Sequence, residues 1–151
     1  MLDKSPFKLK ENHIDFRMLS LWVMLICKDK MRTKMDIFWH VLTGPFEQRI
    51  NCGDSDLKPC LKCLFDLAVR LPLEMNYERF EANKLCTKEK YDELIEDFID
   101  TIFDYESMLS KKDFLKNVRD NWWAIFNSSN LRMKFRGENV PLVNSDGDIS
   151  H

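Results

Sequence analysis

The sequence predicts one compact all-α domain of five to seven helices, followed by a short flexible C-terminal tail. Its 151 residues have the length of one ordinary domain, and 44% hydrophobic residues are enough to build a core. With only 4 Gly and 5 Pro, the chain lacks the tight-turn residues of a β-sandwich or barrel. Apolar residues recur every three to four positions, which is the helical period. We predict a lead over residues 1–12, a helical domain over 13–130 and a flexible tail over 131–151.

The first two helices are predicted before residue 45. An apolar stripe over residues 13–28 predicts helix one, with Asn12 as its N-cap. Nothing between residues 28 and 34 breaks a helix, so helix one either continues or gives way to a second helix capped by Thr33 and Asp36. The second helix ends at Gly44 and Pro45.

Loop residues dominate positions 46–56, and a third helix follows with Pro59 in its first turn. Pro72 is predicted to end this helix, because proline cannot donate to the helical ladder. A short amphipathic turn over residues 77–83 comes next, with Phe80 as its apolar anchor.

The best-defined helix is predicted over residues 88–109, with Thr87 as its N-cap. Ser110 stands three residues before Asp113, as in a capping box, and begins a last long helix that continues to residue 126. Residues 127–130 are expected to terminate it. The remainder has few large apolar groups and is predicted to be the tail.

The sequence argues against a membrane-spanning or a secreted protein. The longest mostly apolar run, residues 18–27, is half the length of a membrane-spanning helix, and no secretory cleavage pattern precedes it. We therefore expect a cytoplasmic or nuclear protein without membrane insertion. In such a reducing compartment, five cysteines favour buried thiols or metal ligands over disulfides.

A structural zinc site is the sharpest chemical hypothesis. Cys60 and Cys63 form a C-x2-C pair at the predicted start of the third helix, and two further ligands lie upstream. Four protein ligands would fasten a helix–loop–helix hairpin and leave no open position for hydrolytic chemistry. The alternative is that these are buried cysteines and a histidine of the core. The predicted metal ligands are His40, Cys52, Cys60 and Cys63.

An acidic helix face and a tryptophan pair are the predicted partner-binding groups. Residues 92–106 contain seven acids and no base. Such a face is ordinarily just solvated, but the mutual repulsion of its charges makes a basic partner more attractive. Trp122 and Trp123 lie about 100° apart on a helix, so one of them should be peripheral, either as a binding anchor or as cover for a helix end. The predicted contact residues are Trp122, Trp123, Asp92, Glu93, Glu96, Asp97, Asp100 and Asp104.

These features predict a non-catalytic protein-interaction module, an adaptor or regulatory accessory protein, whose partner is a protein. One alternative is a nucleic-acid-associated regulator that uses the basic clusters at residues 28–34 and 132–136. The other is a small enzyme whose site is assembled from dispersed cysteines with His13, His40 or His151. The net charge of −2 argues against a global field that would attract nucleic acid.

Overall fold

The computed structural model describes residues 16–140, and these form a helical domain with one small β-ribbon. The predicted all-α fold is confirmed. A π-helical segment, Asp66–Arg70, joins two α-helical segments without a break, so the described residues contain seven separate helices besides one 3₁₀ turn, Trp123–Phe126. The elements are α1 (Phe16–Ile26), α2 (Met31–Thr43), β1 (Arg49–Asn51), α3 (Leu57–Phe65), α4 (Leu71–Met75), α5 (Arg79–Leu85), α6 (Lys88–Phe103), β2 (Met108–Ser110), α7 (Lys111–Asn121) and α8 (Ser128–Phe135).

Helices α1 and α2 are separate, so of the two predicted alternatives the second helix is present and the continuous helix through residue 34 is wrong. The break lies at residues 27–30, where Lys30 adopts an extended conformation and precedes α2. The side chain of Asp29 accepts a hydrogen bond from the Lys30 amide at 3.0 Å, and this local bond competes with a helical ladder. The predicted cap at Thr33 lies inside α2.

Pro72 does not end the third helix, contrary to the prediction. It lies in the first turn of α4, directly after the π-helical segment in which the Leu71 amide donates to the Asp66 carbonyl. Proline cannot donate to the carbonyl four residues earlier, that of Ala68. Ser128 Oγ and Arg132 Nη1 donate to that carbonyl instead, at 3.0 and 2.8 Å. The helix therefore continues through Pro72, because side chains of α8 donate to the Ala68 carbonyl, which Pro72 leaves without a donor.

The caps of α6 and α7 are confirmed. Thr87 accepts from the Lys90 amide at 3.1 Å and Ser110 from the Asp113 amide at 3.2 Å. Helix α6 ends earlier than predicted because Asp104 and Tyr105 have left-handed backbone, with φ of 46° and 69°. Residues 108–110 then form β2, which pairs antiparallel with β1 in the register Ile50 opposite Leu109.

The predicted end of the last long helix and the predicted start of the tail also differ from the structure. Helix α7 ends at Asn121 rather than at residue 126, and Asn127 caps α8 by accepting from the Asn130 amide at 3.1 Å. Leu131 and Phe135 of α8 are buried, so the predicted tail over 131–151 begins too early. Residues 141–151, like the predicted lead over residues 1–12, lie outside the described part of the chain.

Aromatic side chains form the centre of the core. Phe38 of α2 stacks on Phe114 of α7 with a centroid distance of 6.1 Å and meets Phe126 edge-on at 5.8 Å. A second group joins α3, α6 and α8, where Phe65, Tyr91 and Phe135 contact one another at 5.0 to 5.8 Å. Each group holds together helices that are far apart in the sequence.

We predict that Phe38→Ala lowers the free energy of unfolding by about 3 to 5 kcal/mol, because the side chain is fully buried and its removal leaves a cavity among other rings. Chemical denaturation measures the change. Phe46→Ala is the matched control, because Phe46 is 90% exposed and its loss should change stability by less than about 0.5 kcal/mol. Similar losses for both variants would contradict this assignment of the core.

Candidate functional site

The predicted tryptophan anchors are not available to a partner. Trp122 is 2% exposed and Trp123 is 8% exposed. The prediction that one of them is peripheral is wrong, because it assumed a continuous helix. The helix ends at Asn121 and a 3₁₀ turn begins at Trp123, and this change of backbone geometry turns both rings into the core.

Trp122 joins the acidic helix to the core. Its indole Nε1 donates to Asp97 Oδ2 at 3.0 Å, and the Lys134 ammonium lies 4.2 Å from its ring centroid. One carboxylate of the predicted binding face therefore has a structural role, because a buried indole N–H requires an acceptor.

The remaining acids of α6 form an exposed face. Asp92 is half-buried and the others, Glu93, Glu96, Asp97, Asp100 and Asp104, are exposed. Within residues 16–140, no lysine or arginine forms an ion pair with any of them. Among the described residues, the face is thus a negative surface without ion-pair partners.

The predicted metal ligands do not come together. Cys60 and Cys63 are buried in the core, His40 is exposed on α2, and Cys52 is half-buried after β1. Residues 16–140 contain no group of three or more His, Cys, Asp or Glu side chains that could hold a metal ion. Burial raises the pKa of the Cys60 thiol well above its usual range, which disfavours the thiolate that zinc requires. Metal binding stays a prediction, which this geometry does not favour.

A polar cluster that the sequence did not reveal joins α6 to the π-helical segment. The Tyr91 hydroxyl donates to Asp66 Oδ1 at 2.6 Å, and Arg70 Nη2 donates to the Cys86 carbonyl. Burial and the bond to Asp66 raise the pKa of Tyr91, which keeps its hydroxyl a neutral donor. These contacts tie elements together and expose no reactive group.

The outer face of α1 is an apolar surface among the described helices. Leu21, Met24 and Leu25 face the core, whereas the opposite side is also apolar and is uncovered. Phe16 is 79% exposed and Trp22 is 43% exposed. The apolar stripe over residues 13–28 predicted this helix but not its covered side, since periodicity cannot say which side of a largely apolar helix is buried. The α1 outer face, as defined here, consists of Phe16, Leu19, Trp22, Val23 and Ile26.

Lys34 is the second feature that the sequence did not reveal. It was placed in a solvated basic cluster, yet it is 3% exposed, and its Nζ donates to the Phe126 carbonyl at 2.8 Å. Burial lowers the pKa of this ammonium group. Lys34 also lines a cavity of about 480 Å³ between the α1–α2 connection and the start of α8.

Comparisons with protein-family models, with curated proteins and with solved structures gave no match. Over residues 16–140, none of the helices combines the length and the apolar character needed to cross a lipid bilayer.

We predict that Asp97→Ala lowers the free energy of unfolding by about 1 kcal/mol or more, because it leaves the buried Trp122 indole N–H without its acceptor. Denaturant unfolding followed by tryptophan fluorescence measures the change. Asp100→Ala is the matched control. It removes the same charge from the same face, but the Asp100 side chain makes no hydrogen bond within residues 16–140. We expect it to change stability by less than about 0.5 kcal/mol, and equal losses for the two variants would refute the role given to Asp97.

Lys34 makes the stability depend on pH in a definite direction. Its pKa in the folded protein lies below the value of about 10.4 in the unfolded chain, so between the two values the unfolded chain binds more protons. The stability of the wild type relative to Lys34→Met should therefore rise with pH through this window, by at most about 1.4 kcal/mol per pH unit. Urea unfolding of both proteins at a series of alkaline pH values measures it.

Lys112→Met is the control for that series, because Lys112 is an exposed lysine of α7. Its difference from the wild type should stay constant with pH. A wild-type advantage over Lys34→Met that shrinks as the pH rises would show that burial does not depress the Lys34 pKa.

Proposed function

We propose that this protein is a non-catalytic interaction module that binds a protein partner through the α1 outer face. The single observation that carries the proposal is that α1 is largely apolar all round, whereas in the part of the chain that the structure describes its outer side chains remain 38 to 79% exposed. Its 11 residues include one charged side chain, Arg17. A helix of this composition is normally buried all round.

The exposed residues form one continuous stripe. Phe16, Leu19, Val23 and Ile26 follow one another at helical spacing, with Trp22 beside them, so that their side chains lie along one surface. Contiguous apolar surface of this kind marks interaction sites on folded proteins, and partly exposed tryptophan is among the most frequent hot-spot residues. The chemistry therefore fits a partner that contributes an apolar helix or groove.

The acidic face of α6 would act at longer range. Its carboxylates lack ion pairs within residues 16–140, so they generate a local negative potential although the whole chain is only weakly acidic. Such a field speeds encounter with a basic surface and contributes more to rate and specificity than to affinity. The partner is accordingly expected to carry basic residues near its apolar contact.

The nucleic-acid alternative is supported by a groove between α2 and α7, which is lined by Arg32, Lys111, Lys112, Lys116 and Arg119 among others. The groove is less favourable for binding nucleic acid than its composition indicates, because two of its cations are paired. Lys111 Nζ lies 4.0 Å from Asp36 Oδ1, and Arg119 forms an ion pair with Asp120. We therefore retain the protein partner as the proposal.

The proposal is tested by replacing Trp22 with a photoreactive amino acid in the full chain and irradiating it in extract of its native source. A crosslinked protein is then purified and its complex with the wild-type chain is reconstituted from pure components. We expect Trp22→Ala to weaken that complex roughly 30-fold or more, as measured by titration calorimetry, because a central tryptophan contributes at least about 2 kcal/mol at a hot spot.

Tyr105→Ala is the matched control, because Tyr105 is a fully exposed aromatic residue outside α1. Its loss should change the affinity less than about twofold. A crosslink to a second copy would identify the partner as the chain itself, and sedimentation would then replace the titration. Crosslinks confined to the same molecule, or equal losses for the two variants, would refute the proposal.

A further inference from the structure

A cavity beside the N-terminal end of α2 is lined by three lysines. It lies between the α1–α2 connection and the start of α8 and has a volume of about 480 Å³, which is within the usual range for small-molecule sites. Its polar lining is Lys28, Asp29, Lys30, Lys34, Asn127, Ser128 and Ser129. Its other lining residues are Leu25, Cys27 and Ile26, the last of which also belongs to the α1 outer face.

Lys34 supplies a buried cation whose one hydrogen-bond acceptor among the described residues is neutral. Its side chain is almost fully buried and donates to one neutral acceptor, the Phe126 carbonyl. Within residues 16–140 it forms no ion pair. A buried ammonium group with only a carbonyl partner carries an electrostatic cost that a bound anion would offset.

Arg132 adds a second cation behind the cavity wall. Its guanidinium donates to the Ala68 carbonyl, to Ser128 Oγ and to Ser129 Oγ, all of which are neutral acceptors. Because Ser129 Oγ accepts from Arg132, its own hydroxyl hydrogen can point elsewhere, and no acceptor for it is recorded among the described residues. Ser129 is therefore a donor at the mouth of the cavity, on the first turn of α8, where anions are favoured.

The acidic group at this site does not cancel the positive charge. Asp29 is the one carboxylate in the cavity lining, and it accepts a hydrogen bond from the Lys30 amide at 3.0 Å. Three lysines line the same space, with Arg132 behind them. The cavity is thus cationic in a chain whose net charge is −2.

We propose that this cavity binds a phosphate dianion, either inorganic phosphate or the phosphoryl group of a small phosphate monoester. Residues with ammonium and hydroxyl groups line the space from α2, from the α1–α2 connection and from α8, and such donors suit a tetrahedral oxyanion with several terminal oxygens. A planar carboxylate pairs best with an arginine fork, and the fork of Arg132 is already bonded to the protein. The cavity is also large enough for an organic group beyond the phosphate.

The test measures binding of inorganic phosphate and of glycerol phosphate to the full chain by titration calorimetry at constant ionic strength. We expect saturable binding with one site per chain. The double variant Lys28→Ala/Lys30→Ala should weaken it at least about tenfold, because charge-assisted hydrogen bonds to the anion are lost. Both side chains are exposed, so the variant is expected to keep its fold, which circular dichroism verifies.

The matched control is Lys112→Ala/Lys116→Ala, which removes the same charge from exposed lysines of the α2–α7 groove. It should change the affinity less than about twofold if the cavity is the site. Tighter binding of glycerol phosphate than of phosphate would identify a monoester as the ligand class, and equal affinities would identify the free anion.

Three results would overturn the proposal. The first is absence of saturable binding up to about 10 mM of either ligand. The second is an equal loss in the two double variants, which would indicate a general basic field. The third is an oligonucleotide that displaces phosphate and is itself weakened by both double variants, which would indicate a nucleic-acid surface spanning the cavity and the groove.

Discussion

The hydrogen bonds to the Ala68 carbonyl organise the C-terminal half of the domain. Pro72 removes the donor that this carbonyl would have in an ordinary helix, and Ser128 and Arg132 of α8 replace it. An unsatisfied buried carbonyl would cost about 1 to 3 kcal/mol, so the docking of α8 and the passage of the helix through Pro72 stabilise each other. This contact also brings Phe135 against Phe65 and Tyr91.

The same contact builds one wall of the lysine-lined cavity. Once α8 is docked, Asn127, Ser128 and Ser129 face the α1–α2 connection. Lys34 completes the arrangement from the other side, because its bond to the Phe126 carbonyl links α2 to the end of the 3₁₀ turn directly before α8. Two hydrogen bonds to main-chain carbonyls therefore fix the cavity, one from Lys34 to Phe126 and one from Arg132 to Ala68. Because both donors are cationic side chains, these bonds also add positive charge at the cavity.

Local signals in the sequence predicted the fold class and several boundaries correctly. Thr87 and Ser110 cap helices as expected, since capping depends on a few neighbouring residues. The errors arose where distant residues decide the structure. The helix continues past Pro72 because Arg132 donates to the carbonyl that Pro72 leaves without a donor. Leu109 lies in a strand because it pairs with Ile50. Trp122 and Trp123 were misjudged because a helix was assumed to continue beyond Asn121. Cys60 and His40 are close in sequence, yet one is buried and the other exposed.

The candidate sites were harder to predict than the fold, and α1 gives the physical reason. Composition marks it as the most apolar helix of the chain, and such a helix is normally the most deeply buried. Tertiary packing instead covers Leu21 and Met24 and leaves Trp22 half exposed, because a helix at the edge of a domain has neighbours on one side only. The outer side chains remain 38 to 79% exposed, so much of their apolar area stays in contact with water. Their exposure carries a solvation cost that the domain itself does not offset. A partner that covered α1 would remove this cost, so apolar burial, and no pattern of polar residues, is the reason to place the binding surface on α1.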